Sequence, residues 1–162
     1  MLDLKIVPYL KIIFFISIIS ILSAFFIERV LGYQACNLCL IERIPYGLSI
    51  ILIIIYFVFK KNEIFLVLLM MIIFIFSISI SLYHFGIEQG FFEESALCGI
   101  KNASKIITRE ELLLELQKMP VSCKDVTFRI FGFSLTSINI VVSLLIILTL
   151  ANIYKNYEKN KE

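Results

Sequence analysis

Four stretches without a single charged residue, at 12–27, 44–59, 64–83 and 130–154, decide what this chain can become. A helix needs about 20 apolar residues to cross the roughly 30 Å hydrocarbon core of a bilayer. The third and fourth runs reach that length unaided. The first and second are 16 residues each. Lys11 can snorkel at one end of the first, which Gly32 and Tyr33 carry on past Glu28 and Arg29. The second lengthens backwards through Cys39. Spans are therefore expected at about 12–32, 40–59, 64–84 and 131–154, with 1–162 as a single membrane domain. Composition agrees: the 162 residues are 60% hydrophobic and 17% charged, against about 45–50% and about 25% in globular domains. A soluble core of this size could not bury so much apolar surface. The expected fold class is an all-α membrane protein, an antiparallel four-helix transmembrane bundle.

The lysines set the expected orientation. Lys5, Lys11, Lys60, Lys61, Lys155, Lys159 and Lys161 fall on one side and leave it net positive, while the other side is slightly net negative. Excess Lys and Arg in short flanking segments marks the cytoplasmic face. Both termini are thus expected in the cytoplasm. The "KKNE" link between spans two and three forces those helices into an antiparallel pair. The one long segment outside the membrane is an outer loop over 85–130. In it a Thr108-x-x-Glu111 capping box opens a stripe of Leu112, Leu113, Leu116 and Met119, stopped by Pro120. We expect a short amphipathic helix there, lying on the outer leaflet or packed on its own loop. A net charge of +2 with no dense basic patch gives no reason to expect nucleic acid. The first apolar run lacks a small-residue cleavage site, so no removable signal peptide is expected.

All four cysteines, Cys36, Cys39, Cys98 and Cys123, fall on the outer side. That compartment favours disulfide chemistry. A zinc site built from four cysteines usually has two tight pairs, whereas here 24 residues separate the second two, so no metal is expected. A Cys98–Cys123 bridge would read as a loop staple, worth about 3–4 kcal/mol in the chain-entropy model. Cys36 and Cys39 are different, because a bridge across two residues closes almost no loop. Its geometry suits redox exchange, and such surroundings often lower a thiol pKa. If a helix begins near Cys36, its unpaired N–H groups favour thiolate. Arg43, four residues past Cys39, would share its face and could stabilise a thiolate or hold a ligand oxygen. It could equally be a headgroup anchor paired with Glu42. A dithiol oxidised repeatedly at a membrane needs an electron sink. The chain carries neither a haem-attachment motif nor a dinucleotide fingerprint. A lipid-soluble quinone is what remains.

"ACNLCLIER", "YHFGIEQG", "LCG", "VSC" and "FRIFGFSLTSIN" resemble, in this order and over nearly the whole chain, the bacterial disulfide bond formation protein B (DsbB) family. Cys-x-x-Cys alone is a weak signal. Followed by Glu-Arg at the head of span two, with a second outer pair before span four, it is a strong one. The resemblance implies a thiol:quinone oxidoreductase of the bacterial inner membrane that reoxidises a DsbA-like periplasmic thiol oxidase. It implies that Cys98 takes the mixed disulfide with that partner and releases Cys123. Cys123 then attacks Cys36 and frees Cys39 towards ubiquinone or menaquinone. Arg43 matches the family's quinone-contacting arginine. His84, the chain's single histidine, is a candidate quinone donor at the outer end of span three, or simply a wetted residue; Glu88 and Gln89 are weaker candidates.

Three rivals share part of this pattern. A vitamin K epoxide reductase-like enzyme also joins four helices to two cysteine pairs, but its Cys-x-x-Cys comes late. A non-enzymatic four-span scaffold would need only structural disulfides. A transporter would want ionisable residues within the spans, which these runs lack.

Overall fold

The computed structural model describes residues 3–60, 63–93, 122–124 and 128–159. Four helices are long and apolar enough to cross a membrane. They are α1 (Asp3–Arg29), a second span made of the short α2 (Asn37–Ile41) and α3 (Ile44–Phe59), α4 (Glu63–Glu88), and α5 (Leu135–Lys159). A two-residue-per-strand hairpin, β1 (Arg129–Ile130) and β2 (Phe133–Ser134), leads into α5. The all-α bundle expected from the apolar runs is the fold observed. The amphipathic helix expected over 108–119, and Cys98, lie outside the described residues.

Helix ends follow from local chemistry. The first helix starts earlier than residue 12 and stops at Arg29 instead of running on to 32, because Gly32 turns the chain at φ +76°. The second span is broken rather than continuous. Pro45 has no N–H to give the Ile41 carbonyl four residues back, so the chain turns at Glu42 and Arg43 before α3 begins. Lys60 closes α3 in the left-handed region, its N–H on the Tyr56 carbonyl at 2.7 Å. At the other end of α4, Gly90 (φ +78°) folds the chain back so that Phe92 stacks near Tyr83 and lies against Gly86. The hairpin turn has Phe131 and Gly132 both at positive φ, as a tight two-residue turn requires. Ser134 then caps α5, its hydroxyl accepting from Ser137 N–H at 3.2 Å.

The helices form a ring in which α1 packs on α3, α3 on α4, α4 on α5, and α5 again touches α1. Leu10, Ile13, Ile53, Met70, Phe74, Ile146 and Leu150 fill its centre, while Phe15, Ile19, Leu22, Ile72, Phe76 and Leu145 point outward. Lipid is as apolar as these side chains, so burial alone does not hold such helices together; close packing and hydrogen bonds do. Buried serines supply both. Ser17 on α1 meets Ser49 on α3 at 2.8 Å, and Ser77 on α4 meets Ser143 on α5 at 3.2 Å. The tight α4–α5 pair brings His84 and Glu88 opposite Thr136 and Asn139 at the end of the bundle that carries the cysteines.

Candidate functional site

Cys36 precedes the first turn of α2 in extended conformation and caps it with sulfur, accepting from Cys39 N–H at 3.2 Å. Cys36 and Cys39 form a disulfide with Cα atoms 5.1 Å apart. Cys36 is buried, while Cys39 is half-buried and faces the adjoining cavity. Cys123, also buried and also disulfide-bonded, packs in the same small cluster as Cys36, Leu38 and Ile87. Two sequence-distant cysteines of the expected set are thus brought together at one end of the bundle.

Behind the disulfide lies a buried polar network on the α3–α4–α5 side. His84 is 2% exposed, and its Nε2 stands 3.5 Å from Cys36 Sγ. Its Nδ1 lies 2.9 Å from Glu42 Oε1 and 3.1 Å from Thr136 Oγ1. Thr136 donates its one hydroxyl proton to Glu88 Oε1 at 2.6 Å. Nδ1 therefore faces a carboxylate oxygen and a hydroxyl whose proton is spent, so Nδ1 carries the imidazole proton. In the neutral ring Nε2 then presents a bare lone pair to sulfur. Glu42 is held on its other oxygen by Asn139 Nδ2 at 3.1 Å, and that amide also donates to Ser81 at 2.7 Å. Tyr46 hydroxyl donates to Asn139 Oδ1 and approaches Ser143 at 3.3 Å. The arrangement can accept a proton at Nε2 and spread the resulting charge onto Glu42.

Arg43 is not paired with Glu42, the partner the headgroup-anchor expectation gave it. Its guanidinium donates to Glu28 Oε2 at 2.7 Å, tying the turn before α3 to the end of α1. Glu42, its neighbour in sequence, turns away to His84. Arg43, Glu28, Cys39, His84 and Tyr33 border one cavity of ≈ 190 Å³. Sites for whole drug-sized ligands run about 300–1,000 Å³, so this one is smaller, about the size of a single ring. His84, expected as a quinone donor or simply a wetted residue, is buried rather than wetted, in contact with the disulfide and bordering the cavity. Glu88 is more engaged than expected. One of its oxygens serves Thr136, and the other is buried without a partner among the described residues.

Sequence reasoning missed Glu28, Glu42, Thr136 and Asn139. Glu28 had one available signal, a charged residue closing an apolar run. Glu42 had the rule that adjacent helical residues do not face one another.

The family model described as Disulfide bond formation protein DsbB matches residues 8–153. The uncharacterized protein RP370 of Rickettsia prowazekii (strain Madrid E) is 25% identical over 148 residues, covering 90% of this chain and 86% of that one. No solved structure matches.

Proposed function

The chain belongs to the DsbB family of disulfide-formation membrane proteins, and on that premise we propose that it is a thiol:quinone oxidoreductase of the bacterial inner membrane, both termini cytoplasmic, that reoxidises a DsbA-like periplasmic dithiol. The observation that carries the proposal is Cys123 packed against the Cys36–Cys39 disulfide beside a ring-sized cavity. A bridge spanning three positions contributes little to stability, so its place there is better explained by exchange than by stapling.

The relay runs in balanced steps. A partner thiolate attacks Cys98, forming a mixed disulfide and releasing Cys123 as thiolate. The second partner thiol resolves the mixed disulfide, leaving the partner oxidised and Cys98 as a thiol. Cys123 attacks Cys36, breaking the Cys36–Cys39 bond and freeing Cys39 as thiolate at the cavity. Cys98 in turn displaces Cys36 from Cys123, and Cys36 is released beside His84 Nε2, whose lone pair can accept the proton of the Cys36 thiol. Arg43, fixed by Glu28 at the cavity wall, is placed to attract the oxygen of a bound ring. A quinone held there would supply the sink for the two electrons and two protons that Cys36 and Cys39 give up on returning to the disulfide. DsbA is a strong oxidant, with a couple at about −120 mV, so a partner of that kind requires an acceptor of higher potential, and the quinone pool fits.

The test is quinone reduction followed by absorbance, with purified protein, a short-chain quinone and a reduced Cys-x-x-Cys partner. Turnover by the native chain and its loss in both Cys39→Ser and Cys98→Ser establishes the relay. A native chain silent with ubiquinone and menaquinone analogues alike removes the quinone reading and promotes the scaffold.

A further inference from the structure

The residues of the relay also make up a donor set for a metal ion, a use the relay does not call on. Cys36 Sγ, Cys39 Sγ and His84 Nε2 all lie within 4.8 Å of one another. In a tetrahedral zinc site, Zn–S near 2.3 Å and Zn–N near 2.0–2.1 Å put sulfur and nitrogen about 3.6 Å apart. Cys36 Sγ and His84 Nε2 already stand at 3.5 Å. Reduction need only let the two sulfurs move apart to about 3.8 Å, the matching sulfur–sulfur edge.

We propose that the reduced Cys36/Cys39 pair and His84 form a redox-gated binding site for Zn²⁺. Three further features of the structure favour a cation there. The imidazole proton sits on Nδ1, so Nε2 offers its lone pair to the site. Glu42 Oε1 receives that proton at 2.9 Å, which is the carboxylate–histidine arrangement that orients metal-binding imidazoles and raises their basicity. Glu88, its side chain 5% exposed, brings Oε1 within 3.9 Å of Nε2 and keeps Oε2 buried without a partner among the described residues. The half-exposed Cys39 and the adjoining cavity give the ion and a completing water a way in.

Binding exchanges two thiol protons for one divalent cation and moves no electrons. With one lone pair of each sulfur engaged on the metal, both thiolates are weaker nucleophiles and slower to oxidise. Free zinc would therefore slow the return of the reduced pair to the cycle until chelated. That consequence rests on the relay reading above; the site itself does not.

The test uses the full chain carrying Cys98→Ala and Cys123→Ala, so that the pair supplies the only thiols, reduced with a phosphine that does not bind the metal. Co²⁺ is the spectroscopic probe and Zn²⁺ the competitor. The expected result is one Co²⁺ per chain with thiolate-to-cobalt charge transfer and the visible bands of a four-coordinate ion, displaced by Zn²⁺ and absent from the oxidised protein. Glu42→Gln should weaken binding about 10–100-fold, and His84→Ala should weaken it more. Absence of binding to the reduced native pair overturns the proposal. So does equal affinity in the His84→Ala chain, which would leave an ordinary dithiol chelate. Comparing reduced with oxidised native protein needs no variant of the network and stands even where His84→Ala fails to fold. Quinone reduction in chelator-treated buffer is measured alongside, so that a failed relay and a failed metal site are told apart.

Discussion

The middle of the bundle and its outer end are held together by different chemistry. In the middle, neutral hydroxyls meet in pairs, Ser17 with Ser49 and Ser77 with Ser143, each donor and acceptor satisfied among helices. At the end that carries the cysteines the same helices bury Glu42, His84 and Glu88 and set Arg43 against Glu28. Neutral hydroxyls position helices at small cost, whereas ionisable groups in a low-dielectric setting are expensive unless fully partnered. The fold concentrates that expense within reach of one disulfide and one cavity. One carboxylate oxygen there, Glu88 Oε2, is left unpaired among the described residues. The middle is built to persist and the end to react.

The comparison breaks most severely at sulfur. Replacing Cys39 by Ser should reduce quinone-coupled turnover to the uncatalysed background while the thermal unfolding curve in detergent barely moves, since the bridge closes so short a loop. A large fall in melting temperature with turnover retained would make the disulfide structural. Next in size is Glu42→Ala, which strips acceptors from both His84 Nδ1 and Asn139 Nδ2. Leaving a buried donor unpaired costs about 1–3 kcal/mol; Nδ1 keeps Thr136 Oγ1 at 3.1 Å as acceptor and only one Asn139 N–H is orphaned, so the loss by denaturant titration should fall in that range, together with most activity. Glu42→Gln, keeping one acceptor oxygen, should recover part of the stability. Equal loss in both variants would mean that bulk, not hydrogen bonding, matters at this position.

What could be seen in advance follows the same division. Spans were legible because the rule they obey is local: uncharged runs of membrane length leave one reading for α1, α3, α4 and α5. The Cys36–Cys39 disulfide was legible by spacing. The network was not, because its partners are joined by tertiary packing. Glu42 finds His84 at a separation of 42 residues, and Asn139 finds Glu42 at 97. No periodicity records such a pairing. The break between α2 and α3 was within reach, since Pro45 forbids a continuous helix. The hairpin before α5 was harder to see, with two residues per strand.

Arg43 sharpens the comparison from the solvent side. Its pair with Glu28 is partly exposed, at 22% and 29% of the side chains, and such pairs contribute about 1 kcal/mol or less. Arg43→Ala should therefore change stability little yet raise the KM for quinone, with Arg43→Lys intermediate because a lysine keeps the charge but loses the planar fork. An unchanged KM in Arg43→Ala, measured over a full quinone titration, would confine this residue to tying α1 to the turn before α3.

The smallest effect belongs to the middle. Ser17 and Ser49 are both fully buried, and Ser49 also donates to the Tyr46 carbonyl at 2.8 Å. Interhelical hydrogen bonds of this kind average about 0.6 kcal/mol and reach about 1.7 in membrane bundles, because the separated helices also find partners. Ser17→Ala leaves Ser49 with its backbone partner, so the loss should fall at the lower end, with turnover unchanged. Ser49→Ala strands the Ser17 hydroxyl and should cost somewhat more. The double variant removes both ends and should cost less than the two singles added together, since no orphan remains. Additive losses would show that the two hydroxyls act independently and that α1 is held to α3 by packing alone. A fall in turnover exceeding the fall in folded fraction would join the two regions, with the middle setting the geometry of the end.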